Sequence, residues 1–405
     1  MENRADHMGK VTCASWIRRP ENEHLVVMGK SRHGDSPSVL EIFSYDSKII
    51  SLSPSPKVVY ECEDGNIVSV AVHPSGDEIV CSTTTGGCKL LEFQHKEEED
   101  IKILVKDLPP LEGVGPQKCL AFSVDGAKFA TGGEDGHLRV FEWPSLRILI
   151  DEPKAHKSFR DMDFSLDSEF LASTSTDGSA RIWNLEDGVP LTTLTRNTDE
   201  KIECCRFSKD GTKPFLFCTV QKGNKGVTVV WSISTWERIG YKRLLGKSAS
   251  VMSVSLDGKY LALKCIAFTC YRGSRDGDMI VVEVNNMVIS HVSKRLHLGT
   301  SIASLEFCPS ERGKGADRVV VSTSTEWGTV VTKLNVTPEW KEWQIYLVLL
   351  GLFMASAVLF LIFFKNSDNF WNFPVGPNQP AKPRSGGIYH DSQSDEWGAF
   401  GPLDM

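Results

Sequence analysis

Few places in this chain combine residue type and spacing in a way that could do chemistry. His73, Cys81 and Cys88 lie close together, but zinc needs its donors to converge at tetrahedral spacing. Their spacing fits no standard zinc pattern, and Cys81 falls in a strand-like run, so they read as buried structural residues. The vicinal pair Cys204-Cys205 suggests dithiol redox chemistry. Neighbours on a strand point to opposite faces, which argues against it. Gly246-Lys247-Ser248 resembles the end of a phosphate-binding loop. Its preceding glycine, Gly240, is one residue too far away and no βαβ pattern surrounds it, so it reads as a loop. Gly132-Gly133-Glu134-Asp135-Gly136 reads as a hairpin turn, and no Ser/His/Asp set stands out. The expectation is no catalytic residue, no metal ligand and no cofactor-binding residue.

The elements that would position any site come from a repeat. An alternating β-rich run, a tight turn and a second β run recur, as in AVHPSGDEIVCSTTTGGCKLLEF at 71–93 and DFSLDSEFLASTSTDGSARIWNL at 163–185. The residues before successive turns are Val72, Phe122, Phe164, Phe207, Val254 and Phe307, spaced by 50, 42, 43, 47 and 53. A degenerate copy around Trp16 makes seven. Several short strands in a period of roughly 40–45 residues predict a WD-repeat β-propeller of seven blades. A pair of β-sandwiches is the alternative, disfavoured by the period. His156, Asp177 and Trp183 hold the positions at which such a repeat ties its strands by a His–Asp–Trp hydrogen-bond network, with Asn184 replacing the final Asp. Asp-Gly pairs at 135–136, 177–178, 210–211 and 257–258 predict turns with positive φ. The stretch KCIAFTCYR at 264–272 departs from the repeat and reads as an insertion.

The expected fold is therefore all-β, followed by a single transmembrane helix and a short tail. Ile345–Phe364 is twenty residues without a charge, long enough at ~1.5 Å per residue to cross a bilayer. Trp340, Lys341 and Trp343 before it, Tyr346 at its start, and Lys365, Phe370 and Trp371 after it suit interfacial anchoring. Close Lys/Arg residues do not decide the orientation. All eleven cysteines precede the span, and the N-terminus lacks the apolar region of a signal peptide. These features predict a cytosolic body at 1–338, a juxtamembrane linker at 339–344, the span at 345–364, and a lumenal, Pro/Gly/Asn-rich, disordered tail at 365–405. The sequon Asn335-Val336-Thr337 would then be idle. The net charge of −7 offers no basic excess for nucleic acid.

Particular stretches carry a family resemblance: SWIRRP at 15–20, CSTTTGGCKL at 81–90, DEPKAHKSFRDMDFSLDSEFLASTSTDGSARIW at 151–183, RFSKDGTKPFLFC at 206–218, SKRLHLGTSIASLEFCPSER at 293–312 and EWKEWQIY at 339–346. With the architecture, they resemble the endoplasmic-reticulum exchange factors that load GTP on the small GTPase starting COPII coat assembly. Within that family the sequence is most similar to the plant branch called phosphate transporter traffic facilitator. The resemblance covers nearly the whole chain through Trp371.

The resemblance implies a run of glycines in the first blade of active members, a loop that binds potassium through backbone carbonyls and inserts at the GTPase nucleotide site. Here that stretch keeps only Gly29 and Gly34, with Lys30, Ser31, Arg32 and His33 between them. A cation about 4 Å from a potassium site costs about 4 kcal/mol in partly screened surroundings. The expected function is a non-catalytic endoplasmic-reticulum membrane protein that helps phosphate transporters exit the organelle and reach the plasma membrane. The COPII GTPase or coat components are further expected partners. The alternatives are an active nucleotide-exchange factor with a rebuilt loop, or a membrane-tethered scaffold unrelated to export. The final PLDM is no retrieval tetrapeptide.

Overall fold

The computed structural model describes residues 10–94, 102–265, 277–309 and 318–334, apart from 20–23, 33, 35, 195, 224, 246–248, 298–299 and 327. It also describes the helix at 342–365. The chain divides into two compact units, Met1–Val336 and Thr337–Met405.

The first unit is a ring of seven antiparallel sheets. Sheet one holds β1 (Val11–Arg18), β2 (His24–Lys30), β3 (Ser38–Asp46), β4 (Ser51–Leu52) and β5 (Val58–Cys62). Sheet two holds β6 (Ile67–Val72), β7 (Glu78–Thr83), β8 (Cys88–Gln94) and β9 (Lys102–Asp107). Sheet three runs β10 (Gln117–Phe122), β11 (Lys128–Gly133), β12 (Leu138–Glu142) and β13 (Ile148–Glu152). Sheet four runs β14 (Phe159–Phe164), β15 (Phe170–Ser175), β16 (Ala180–Asn184) and β17 (Val189–Thr193). Sheet five runs β18 (Glu200–Phe207), β19 (Phe215–Lys222), β20 (Lys225–Ser232) and β21 (Arg238–Leu245). Sheet six runs β22 (Met252–Val254), β23 (Tyr260–Cys265), β24 (Gly277–Glu283) and β25 (Val288–His297). Sheet seven has three strands among the described residues: β26 (Ile302–Phe307), β27 (Val319–Ser324) and β28 (Gly328–Lys333).

The repeat spacing is explained by this register. Val72, Phe122, Phe164, Phe207, Val254 and Phe307 each end the first strand of their sheet. Those first strands line the axis, each packed on the next, and β26 meets β1 to close the ring. One apolar cluster fills each junction. Ile17, Leu25 and Ile42 meet Ile67, Ile79 and Leu91 between sheets one and two. Trp16, Val26 and Met28 meet Cys308, Val319 and Val321 where sheet seven meets sheet one. Second strands are covered on both faces, which is why β2 and β27 are buried throughout and read as continuous runs. A bulge recurs near the start of six first strands, as at Val11/Cys13, Ile67/Ser69 and Ile302/Ser304.

Two sequence expectations need correction. Of the four Asp-Gly turns, Gly136, Gly178 and Gly258 take positive φ (+83°, +82° and +72°), whereas Gly211 does not. Ser168 instead adopts φ +60° in the sheet-four turn where Gly76, Gly126 and Gly258 stand in other sheets. The departure at 264–272 also begins later than expected, because Lys264 and Cys265 complete β23, paired with Met279 and Asp278. The remainder of that stretch lies outside the described residues.

In the second unit, α1 (Glu342–Lys365) contains a segment, Trp343–Lys365, whose most apolar eighteen-residue stretch has a mean hydropathy of 2.8, with none of that stretch buried. It is long and apolar enough to cross a membrane. Its one aliphatic hydroxyl, Ser356 Oγ, donates back to the Phe353 carbonyl at 2.7 Å, satisfying it within the helix. The linker residues 339–341 and the tail from 366 lie outside the described residues.

Candidate functional site

The stretch from Gly29 to Gly34 is split between a strand and a turn. Gly29 and Lys30 belong to β2. Gly29 pairs with Cys13 of β1 and Leu40 of β3, and Lys30 pairs with Val11 and Val39. Gly29 is required by packing. A Cβ there would stand 2.7 Å from Cys13 Sγ and 2.9 Å from Ile67 Cγ2. The Cys13 thiol it abuts is pushed up to about 11 by burial, so it packs as a neutral group. Gly34 lies in the turn at φ +57° with open space around it, the conformation that favours glycine.

The backbone at the root of the turn is engaged by hydroxyls. Thr12 Oγ1 donates to the Gly29 carbonyl at 3.2 Å. The fully buried Ser38 donates its Oγ to the Lys30 carbonyl at 2.6 Å and accepts the Ile67 N–H at 3.0 Å. Ser31 N–H donates to the Lys10 carbonyl at 2.8 Å. Arg32 is tied to the connection between sheets one and two. Its N–H donates to Asn66 Oδ1 at 2.6 Å, and its guanidinium reaches the Glu63 carbonyl at 3.3 Å.

The charges are also divided. The sequence placed the Lys30 charge inside the turn. The structure instead seats Lys30 at the end of β2, buried, with Nζ 2.7 Å from Glu41 Oε2 on β3. Arg32 is exposed on the turn. His33 lies outside the described residues. Thr12, Ser38, Glu41 and Asn66 escaped the sequence reading because they come from β1, β3 and the connection before β6, and only the sheet brings them beside the end of β2.

The residues expected to tie the fourth blade meet through an intermediary. Ser173 Oγ accepts from Trp183 Nε1 at 2.9 Å and shares a hydrogen bond with His156 Nε2 at 2.8 Å. Asp177 turns its carboxylate to the N–H and hydroxyl of Ser179, at 2.8 and 2.7 Å. Burial, followed by the nearby Arg181 charge, lowers the His156 imidazole to about 4, so it is neutral at physiological pH. Sheet seven repeats the pairing, with His297 Nε2 2.9 Å from Ser322 Oγ. The serine was findable: CSTTT at 81–85, ASTST at 172–176 and VSTST at 321–325 align it internally.

Among the described residues the other motifs are structural. His73 donates from Nε2 to the Gly126 carbonyl at 3.1 Å and accepts from Ser75 Oγ at 2.8 Å. Cys81 and Cys88 pack into junctions on opposite sides of sheet two. Cys204 and Cys205 likewise face opposite junctions of sheet five. Gly136 closes the 132–136 turn, donating to the Gly133 carbonyl at 3.2 Å. Gly246, Lys247 and Ser248 lie outside the described residues. No cluster of three or more His, Cys, Asp or Glu suited to a metal occurs among the described residues.

The first strands enclose an axial cavity of about 530 Å³. Its charges are largely matched. Arg206 Nη1 lies 2.5 Å from Asp161 Oδ2, Arg160 pairs with Glu203, and the Asp163 carboxylate accepts the Phe207 N–H at 2.7 Å.

The ring of sheets, the His–Ser–Trp tie of sheet four and the apolar helix together define a WD-repeat propeller carrying one helix fit to cross a membrane. Residues 112–142 and 147–184 match the WD domain, G-beta repeat model. The chain is 56% identical to SEC12-like protein 1 of Arabidopsis thaliana over 386 residues, which is 94% of this chain and 93% of the relative. It therefore belongs to the SEC12-like family. SEC12-like protein 2 of the same plant is 32% identical over 248 residues, 60% of each chain. The guanine nucleotide-exchange factor SEC12 of Rattus norvegicus is 24% identical over 287 residues, 64% of this chain and 66% of the relative.

Proposed function

We propose that this protein is a non-catalytic endoplasmic-reticulum membrane protein that promotes exit of phosphate transporters from that organelle. The observation that carries the non-catalytic part is the closed root of the Gly29–Gly34 turn. Carbonyls 29 and 30 accept hydroxyls, Gly29 is locked in a strand, and Arg32 is fastened to Asn66 and Glu63. A cation ligated by those carbonyls would have to displace the hydroxyls beside a fixed guanidinium. The phosphate-transporter cargo rests on the resemblance to the plant facilitator branch. A cytosolic propeller with a lumenal tail is supported by the nine cysteines with described side chains being free thiols, as a reducing compartment favours.

The test is nucleotide release from the COPII-initiating GTPase, with the full chain in nanodiscs beside a glycine-loop family member. The expected outcome is release at the intrinsic rate. Stimulation comparable to the glycine-loop protein would favour the second reading, a working exchange factor, for which the rat relative's name speaks. Replacing residues 30–33 by glycine is expected to raise release if only the loop was lost, although Lys30→Gly leaves Glu41 without its ion pair. Imaging phosphate transporters in cells lacking the protein tests the cargo. Normal arrival at the plasma membrane would overturn the export role.

A further inference from the structure

The outer strands of sheets five and six differ from those of the other sheets. β21 reads RIGYKRLL and β25 reads VISHVSKRLH, together carrying five Lys or Arg and no Asp or Glu. The outer strands of sheets one to four carry acids or no charge: β13 ends in Asp151-Glu152, β5 holds Glu61, β9 ends in Asp107 and β17 is VPLTT. The outermost described strand of sheet seven, β28, carries a single Lys333. In β9, Lys106 is paired with Glu92 at 2.6 Å. This basic bias occurs on a chain of net charge −7.

The same two strands present apolar side chains to solvent. Tyr241 is 74% exposed and Ile239 54%, and Val288, Ile289 and Val292 are also exposed. Lys242, Arg243, Lys294 and Arg295 are exposed among them. The strands are linked, since Lys242 Nζ donates to the Asn286 carbonyl at 3.3 Å and Lys213 Nζ to Asn285 Oδ1 at 2.6 Å, both in the turn that starts β25. Those acceptors are neutral and leave the lysine charges in place. Two acids of β24 border these strands: Glu283 Oε2 accepts from Asn286 at 2.6 Å, and Asp278 Oδ1 accepts the Arg295 N–H at 2.6 Å. Those donors are likewise neutral and leave the carboxylate charges in place, so the four exposed cations outnumber these two acids. Arg238 is paired with Glu200 at 3.2 Å and lies over the Tyr241 ring.

We propose that the outer strands of sheets five and six form a face that binds an anionic bilayer surface. Clustered cations among exposed aliphatic and tyrosyl groups are complementary to acidic headgroups over an acyl boundary. The chain supplies the opportunity. Seven residues separate Leu334 from Glu342, where the apolar helix starts, so the extended linker reaches at most roughly 29 Å. The inference rests on that helix crossing a bilayer and is independent of the cargo reading.

Full-length chain is placed in nanodiscs of neutral lipid alone or with one-third anionic lipid. A photoreactive benzoylphenylalanine replaces Tyr241, Ile289 or, as control, the exposed Val59 of sheet one. Crosslinks to lipid are expected at 241 and 289 in anionic discs, at least about five-fold above neutral discs and above position 59. They should fall by a similar factor in about 0.5 M salt or with Lys242→Glu, Arg243→Glu, Lys294→Glu and Arg295→Glu together. The salt arm needs no variant and so does not depend on folding of the charge-reversed chain. Equal crosslinking in neutral discs, crosslinks to a second protein copy, or none above position 59 would each overturn the proposal.

Discussion

A missing methyl group does structural work at Gly29. A Cβ there would press on Cys13 Sγ and Ile67 Cγ2 at the junction of the first two sheets. Gly29→Ala is expected to cost about 1–3 kcal/mol, as overpacking does in a dense core. Urea unfolding measures it, and Cys13→Ala in the same chain should restore part of the loss by making room. An unchanged midpoint for Gly29→Ala would show that the junction yields freely. The sequence made this residue a remnant of a glycine-rich loop. Its place in a strand could not be read because the atoms that exclude Cβ come from Cys13 and Ile67, 16 residues before it and 38 after.

Sheet four is held by side chains that its own repeat supplies. In sheet four the fully buried Ser173 hydroxyl serves both the fully buried Trp183 and the half-buried His156. Ser173→Ala would leave the indole N–H unpaired, at an expected cost of about 1–3 kcal/mol. Native-state hydrogen exchange should show β14–β16 opening more readily while sheets one and two change less. Equal loss of protection around the whole ring would contradict a tie local to the sheet. The strands themselves were legible, because alternation and turn residues are local properties. The His–Ser–Trp geometry was half legible: two of three partners were named, and the third was hidden among similar hydroxyls. Asp177 was grouped with them on spacing, yet its carboxylate found a nearer donor in Ser179.

The ring as a whole depends on one junction between its ends. Among the described residues β1 pairs with β2 alone, so closure against sheet seven comes from packing and a few side-chain bonds. Trp16 N–H donates to Glu306 Oε2 at 3.1 Å, Trp16 Nε1 to the Glu306 carbonyl at 3.2 Å, and Ser304 Oγ to the Ala14 carbonyl at 2.8 Å. Glu306 lines the axial cavity, surrounded by protein, and desolvation pushes its carboxyl up to about 7 against a usual 4.5. The folded state thus holds a proton that the unfolded chain releases between those values. Stability from this group is full below pH 4.5 and is lost as pH rises to 7, on the order of 2 kcal/mol allowing for water in the cavity. Glu306→Gln, which can still accept from Trp16, is expected to flatten that dependence and be more stable than the parent near pH 8. Denaturant midpoints at pH 5 and 8 check it, and parallel curves for the two proteins would refute the assignment.

Period, turn chemistry and hydropathy are written along the chain within one repeat or one helix, so the sequence alone determined seven sheets and one membrane-competent helix. The places where distant segments meet were decided only in three dimensions. Ser38 and Thr12 close the root of the first-sheet turn, Glu41 takes the Lys30 charge, and Glu306 receives Trp16 from 290 positions earlier. Their partners are set by the register between strands and by the curvature that brings β26 beside β1, and neither has a signature in local residue order. The basic, apolar face on β21 and β25 belongs to the same class. Its residues lie dozens of positions apart and become one surface only when consecutive sheets stand side by side.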